Sequence, residues 1–409
     1  MLKFIYDLGV RLYGISILIA SIWLKKAKLW IQGRTNWKQN LKNNIEKLSN
    51  PIWFHAASSG EFEQAKPIIE WIKENYPNQK ILVTFFSPSG YELSKKYSLA
   101  DLITYLPLDT PQNAKDFLTI TQPKMAIFIK YEFWLNFLFE IQKRKIPCFL
   151  VCGIFREKSP FFKGILKTLF QRALNAYNQI FVQDKLSFEL LKNVFDPAKI
   201  TVAGDTRFDR VIKIQKNWKP VIEVEKYLPP KPILMLGSSW YPDEIWLKKI
   251  IPLLPEWHFV IVPHEISAEH NQKLKKIFPE AVFFSELENK EPLKYKILII
   301  DKMGWLSRLY NYADAVWIGG GFGKGIHNTL EAAVYGKPIF FGPNYKKFHE
   351  AFGLIEYGAA FPVHANTSTT EIVHFLRENI QHASHSAKKY VIENQGSTEK
   401  IVKYLKNYL

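Results

Sequence analysis

IWFHAASSGEFEQAKPIIEWIKENYPNQKILVTFF, residues 52–86, holds one complete strand–helix–strand unit. An apolar run (52–56) gives way to small residues, then to the amphipathic stretch EFEQAKPIIEWIKENY (61–76), then to a second apolar run (81–86). The pattern continues through LITYLP (102–107), MAIFIK (125–130), CFLVCG (148–153) and IFVQ (180–183), with helical stretches such as FEIQKRK (139–145) between them. Near-continuous apolar strands bounded by amphipathic helices predict a parallel sheet covered on both faces. The charged, Pro-rich segment KIQKNWKPVIEVEKYLPPKP (213–232) then reads as a linker. The pattern restarts with ILMLGSS (233–239), HFVIVPH (258–264), AVFFS (281–285), KILIID (296–301), AVWIGGG (315–321) and PIFFG (338–342). The expectation is an α/β protein of two facing, doubly wound Rossmann-like domains, with ligands held at the carboxyl ends of the strands. The expected division is 1–45, 46–212, 213–232, 233–385 and a C-terminal helix at 386–409 that packs back toward the first domain.

Length agrees, since 409 residues exceed one ordinary core. An apolar content of 47% with 23% charged residues excludes a disordered chain. Cys148 and Cys152 read as buried thiols, and simple alternation puts both on one face of their strand. The net charge of +17 points to an anionic partner: a phosphorylated substrate, an acidic membrane surface or nucleic acid. No nucleic-acid-binding module accompanies it, and most aromatic residues fall inside apolar periodic segments.

FIYDLGVRLYGISILIASIWL, residues 4–24, is followed by the basic KKAKLWIQGR. Its uncharged part is shorter than the ~20 residues of a full span. Including Asp7 and Arg11, spaced to pair at i,i+4, makes it long enough. Lys25, Lys26, Lys28 and Arg34 place the rest of the chain in the cytoplasm by the positive-inside rule. The reading is a membrane anchor, either spanning or lying in the interface. Because the first strand begins only near Ile52, residues 1–24 read as detachable.

Two stretches carry candidate chemistry. In HAASSGE (55–61) a carboxylate follows small residues at a strand end, as a helix cap or as a base that a bulky substrate can reach. In WIGGGFGKGIHNTLEAAVYGKPIFFGP (317–343) a strand runs into glycines, and a helix opens around His327 or Asn328. Glycines let backbone N–H groups approach a phosphate at a helix N-terminus. The stretch is no Walker A motif, because Gly323-Lys324 precedes Gly325, and it fits the dinucleotide fingerprint poorly. Asn328 and Glu331, three apart, share a helical face from which Glu331 accepts ribose hydroxyls. The alternative is a capped helix with an acidic first turn.

HAASSGE, KYEFWLN (130–136), TVAGDTRFD (201–209), IVPHE (261–265), DKMGWLSRLYNYADAVWIGGG (301–321) and HNTLEAA (327–333) together resemble the 3-deoxy-D-manno-octulosonic acid (Kdo) transferases of lipopolysaccharide synthesis. These are membrane-anchored glycosyltransferases of the GT-B fold, and the resemblance runs through nearly the whole chain. It implies transfer of Kdo from CMP-Kdo to a lipid A precursor at the inner membrane, without a metal or other cofactor. Glu61 matches the family's general base, and Glu132 and Trp134 match an acid and a tryptophan. Lys130 stands where many members have a second acid, and Leu135 where they have proline. Lys130 then pairs with Glu132 or meets the donor's carboxylate. Arg207 matches the cation near the leaving phosphate; the plainer alternative is a surface pair with Asp209.

The resemblance implies donor contacts at Pro263 and His264, at Met303, Gly304 and Trp305, and at Gly325, Asn328, Thr329, Leu330 and Glu331. His264 replaces a commoner arginine, and Trp305 stands where an acid is frequent. Ser238 and Ser239 offer hydroxyls to a phosphate or cap the next helix. Two other classes stay in view: a sugar-nucleotide 2-epimerase of the same architecture, and a non-catalytic, membrane-tethered binding protein. Neither needs the anchor together with Glu61, Arg207 and Glu331, and fold alone does not choose among them.

Overall fold

Each of the twelve apolar runs contains a strand in the computed structural model, which describes residues 1–45, 48–228, 232–287 and 295–409. The first sheet comprises β1 (Ile52–Ala56), β2 (Ile81–Phe85), β3 (Leu102–Tyr105), β4 (Met125–Ile129), β5 (Cys148–Gly153), β6 (Gln179–Val182) and β7 (Ile200–Val202). Its order is β3-β2-β1-β4-β5-β6-β7, with parallel pairing throughout. The second comprises β8 (Ile233–Ser239), β9 (His258–Pro263), β10 (Val282–Phe283), β11 (Ile297–Ile299), β12 (Ala315–Ile318), β13 (Ile339–Phe341) and β14 (Ala360–Pro362). Its order is β10-β11-β9-β8-β12-β13-β14, again parallel. The edge strands β7 and β14 escape the sequence reading because each has three residues and is only partly buried.

β1 shows why the runs are continuous rather than alternating. Trp53 enters the core on one face of the sheet, while Ile52, Phe54 and Ala56 enter the core on the other, and all are fully buried. The two cysteines depart from the expected shared face: Cys148 lies in the first of these cores and Cys152 in the second. Cys152 has φ +54°, and the β5–β6 register shifts between Leu150 and Gly153, so an irregularity breaks the two-residue period. Both thiols are free and buried, and burial drives both up from the ordinary range.

The chain divides into two units, Met1–Arg210 with Gln395–Leu409, and Val211–Asn394. The helix Thr206–Lys216 runs through the residue-212 boundary read from sequence. The expected linker is folded onto the second unit. Trp218 Nε1 donates to the Arg308 carbonyl (3.0 Å), the Val221 amide donates to Tyr312 Oη (3.1 Å), and Val221, Val224 and Tyr227 are buried. Residues 229–231 of that segment, and 46 and 47 at the first expected boundary, lie outside the described residues. The expected single C-terminal helix is two. Ile380–Glu393 belongs to the second unit and Ser397–Leu405 to the first, parted at Gly396, whose φ of +94° no other residue type adopts readily. Ile401, Val402 and Leu405 complete the core on one face of the first sheet.

The N-terminal helix, Leu2–Ala20, also belongs to the first unit. Tyr6 donates to buried Asp109 (2.6 Å), and Asn136 donates to Asp7 (2.8 Å). Asp7 pairs with Lys3 (3.0 Å) rather than with Arg11, because Lys3 also reaches Asn136 on the domain side of the helix. A turn follows Ala20 before the helix Lys25–Gln32. Among the described residues no helix is long and apolar enough to cross a membrane, so the spanning form of the anchor is not found. Phe4, Leu8, Leu12, Ile15, Leu18 and Ile19 are exposed along the helix.

Candidate active site

Glu61 sits in the first turn of the helix Ser59–Asn75, directly after β1. Its Oε2 accepts from the Ser58 amide (2.9 Å) and the Ser58 hydroxyl (3.2 Å), one half of a capping box. Glu61 is therefore a cap, and it is also an unusual carboxyl. Burial and the nearby Glu132 carboxylate push it up to about 7, against the lowering effects of Lys130 and the Ser58 bonds. Among the described residues Oε1 accepts no hydrogen bond.

Glu132 follows β4, the neighbour of β1, and is buried. Its Oε2 accepts from Trp134 Nε1 (2.5 Å) and lies 3.0 Å from His55 Nε2, which Trp134 Nε1 also approaches at 2.9 Å. His55 is the one polar residue of β1 and is fully buried; its Nδ1 lies 2.8 Å from Thr84 Oγ1. Nδ1 also lies 3.1 Å from the Thr84 carbonyl oxygen. Sequence reasoning passed over His55, although an imidazole inside an apolar central strand is itself a signal. Among the described residues Lys130 makes no ion pair with Glu132. It lies over the Tyr131 ring at 5.0 Å, on a left-handed backbone at φ +69° that turns the chain off β4.

Arg207 opens the helix after β7, and its partner is Asp205 rather than Asp209. Nε and Nη2 both reach Asp205 Oδ2, at 3.0 and 2.7 Å. Burial alone would raise the Asp205 carboxyl, but the Arg207 guanidinium and its hydrogen bonds hold it below the ordinary range. Asp209 instead accepts from the amides of Gly396 and Thr398, both at 2.6 Å, which ties down the C-terminal helix.

In the second unit the remaining candidates gather at the carboxyl ends of β11, β9, β8 and β12. Ser239 is buried and donates its hydroxyl to Glu244 (2.8 Å), while Ser238 takes φ +52° at a register shift of β8. Pro263 is the last residue of β9, and exposed His264 follows it. After β11, Met303 is exposed, Gly304 takes φ +89°, and Trp305 is buried against Phe284. The helix after β12 opens at Leu330, later than its sequence suggests, because the Asn328 side chain accepts from the Leu330 amide (3.1 Å). Asn328 therefore lies outside the helix, and its Nδ2 donates to Glu331 Oε1 (3.0 Å). Thr329 and Leu330 are fully buried beside them.

The glycine-rich loop is built for self-packing. A Cβ at Gly319 would meet the Ser238 carbonyl at 2.2 Å, and one at Gly321 the Gly342 amide at 2.5 Å. A Cβ at Gly325, itself at φ +138°, would meet the Phe348 ring at 2.9 Å. The amides of Gly319, Gly323, Gly325 and His327 donate to carbonyls within and beside the loop, and that of Gly320 to Asp243.

Two parallel Rossmann-like domains with polar side chains at the carboxyl ends of their strands define the GT-B class, and solved structures agree. A UDP-GlcNAc 2-epimerase from Neisseria meningitidis bound to UDP-GlcNAc superposes with a TM-score of 0.61 at 16% identity, covering 87% of this chain and 100% of that one. The calicheamicin glycosyltransferase CalG4 does so at 0.56 and 11%, covering 87% and 98%. These likenesses are of fold alone. Sequence narrows the class: the 3-deoxy-D-manno-octulosonic-acid transferase (kdotransferase) family matches residues 32–210. The 3-deoxy-D-manno-octulosonic acid transferase of Haemophilus influenzae is 27% identical over 385 residues, spanning 88% of this chain and 87% of its own. Over residues 32–210 the chain matches the Kdo transferase family, and over most of its length it is similar to Kdo transferases.

Proposed function

We propose that the chain is an inverting, metal-independent transferase that moves Kdo from CMP-Kdo to the lipid A precursor lipid IVA, with Glu61 as general base. The observation that carries this reading is Glu61 itself, a carboxyl raised to about 7 whose Oε1 accepts no hydrogen bond among the described residues. A base with a pKa near the working pH takes a proton most effectively. The acceptor hydroxyl gives its proton to Glu61 as its oxygen bonds to the anomeric carbon. The bond from that carbon to the phosphate oxygen breaks, and CMP departs.

Glu132, held by His55 and Trp134, is assigned to keep Glu61 basic, and Lys130 to face the donor's carboxylate. Arg207, its fork oriented by Asp205, is assigned to the leaving phosphate. On the second domain, Pro263, His264, Met303, Gly304 and Gly325 form the donor side, with Asn328, Thr329, Leu330 and Glu331. The Asn328–Glu331 pair is placed at the ribose hydroxyls, and the buried Trp305 acts through its backbone alone. The exposed face of Leu2–Ala20, beside Lys25, Lys26 and Lys28, is read as lying in the anionic inner-membrane surface, with both domains in the cytoplasm.

Glu61→Gln tests the reading, because it keeps the shape and the cap but takes no proton at neutral pH. Transfer from CMP-Kdo to lipid IVA should fall by about 10²–10⁴-fold, with CMP affinity by calorimetry unchanged. A variant keeping more than a tenth of the wild-type rate, with chemistry rate-limiting, would remove Glu61 from the role.

A further inference from the structure

In the second sheet β8 is flanked by β9 on one side and β12 on the other, so the strand order reverses beside β8. Open parallel sheets bind ligands outside the carboxyl ends of their strands at such a reversal. Three aromatic rings occupy this point. Trp240 directly follows β8, His264 directly follows β9, and His327 lies in the loop after β12. The His264 ring stacks on His327 (centroids 4.3 Å apart, 24° between planes) and lies tilted against Trp240 (4.8 Å, 30°). Trp240 Nε1 donates to His327 Nε2 at 3.1 Å.

That last bond selects a tautomer. Indole nitrogen only donates, so His327 Nε2 accepts and the imidazole proton sits on Nδ1. Among the described residues no acceptor takes this Nδ1–H. The surrounding loop contrasts with it, since the amides of Gly319, Gly320, Gly323, Gly325 and His327 already donate within the protein. The Ser239 hydroxyl likewise donates to Glu244. The backbone amides of the glycine-rich loop are largely committed within the protein, and a ring N–H is not.

We propose that His327 Nδ1–H donates to a phosphate oxygen of the nucleotide, with Trp240 as the positioning residue that fixes its tautomer and His264 as the ring that holds it in plane. Both imidazoles are suited to stacking uncharged. Burial and the adjacent His264 take His327 down to about 4, and burial lowers His264 against the opposing pull of Glu265. The proposal rests on the donor reading above, and names Trp240 and His327 as part of that site.

The test uses the full chain with CMP as probe. In ¹⁵N spectra of the histidine side chains at pH 7, His327 should appear as a fixed Nδ1–H tautomer, and CMP should shift its Nδ1 resonance. Trp240→Phe keeps a ring in the stack but removes the donor. It should let the two His327 nitrogens average and raise the CMP Kd about three- to tenfold. His327→Gln should raise it about tenfold, which keeps the question decidable if Trp240→Phe folds poorly. CMP binding to the wild type with His327 Nδ1 unmoved and both variants at wild-type affinity would overturn the proposal alone. No CMP binding to the wild type would overturn the donor reading and this inference with it.

Discussion

Glu61 is both a helix cap and a raised carboxyl, and each role makes its own prediction. Lys130 lowers its pKa, so Lys130→Met should move the acid limb of the pH–rate profile from near 7 toward alkaline pH, by up to about one unit. An unmoved limb would show that Lys130 does not act on the base. Stability should run opposite to activity. A carboxyl whose folded pKa lies above its unfolded value binds its proton more tightly when folded, so stability falls as pH rises through that window. Here the window runs from 4.5 to about 7. Glu61→Gln removes this penalty, and scanning calorimetry should find its Tm above wild type at pH 8 and level with it near pH 4.

The N-terminal helix shows how an element can look detachable and be part of the domain. Tyr6 and the amides of Asn136 and Phe137 all donate to Asp109, which is fully buried and raised to about 6 by that burial. Removing residues 1–24 would leave this carboxylate without its shortest bond and uncover the apolar surface against which Leu2 and Tyr6 pack. Tyr6→Phe isolates the bond. It should cost about 1–3 kcal/mol in urea unfolding at pH 7.5. The Tyr6 bond lowers the Asp109 pKa, so the loss should shrink near pH 4.5, where Asp109 carries its proton. Equal losses at both values would mean the hydroxyl serves only in packing.

At the scale of the whole molecule, the +17 charge and the exposed helix face point to one surface chemistry. The full chain should bind vesicles containing anionic lipid and release partly in high salt, with a remainder held by apolar contact. Leu12→Glu with Ile15→Glu, at positions 56% and 52% exposed, should weaken vesicle binding at least about tenfold without changing the far-UV spectrum. Retained binding would move the membrane contact to another part of the protein.

The two sheets and the positions of twelve of their strands were legible in the chain because strands covered on both faces leave near-continuous apolar runs, a signal summed over a few adjacent residues. The glutamate of HAASSGE was legible too, as a carboxylate after small residues at a strand end. What escaped that reading depends on groups distant in sequence. Glu61 has its raised pKa from burial and from Glu132, which the pairing of β1 with β4 brings near it, and His55 meets Glu132 across 77 positions of chain. Trp240 fixes His327 across 87. The turn of Cys152 to the other face, the two short edge strands and the division of the C-terminal helices likewise follow from pairing and burial. Periodicity records which side of a segment is apolar. Desolvation and proximity, which set the chemistry of a site, arise only when separate segments are packed together.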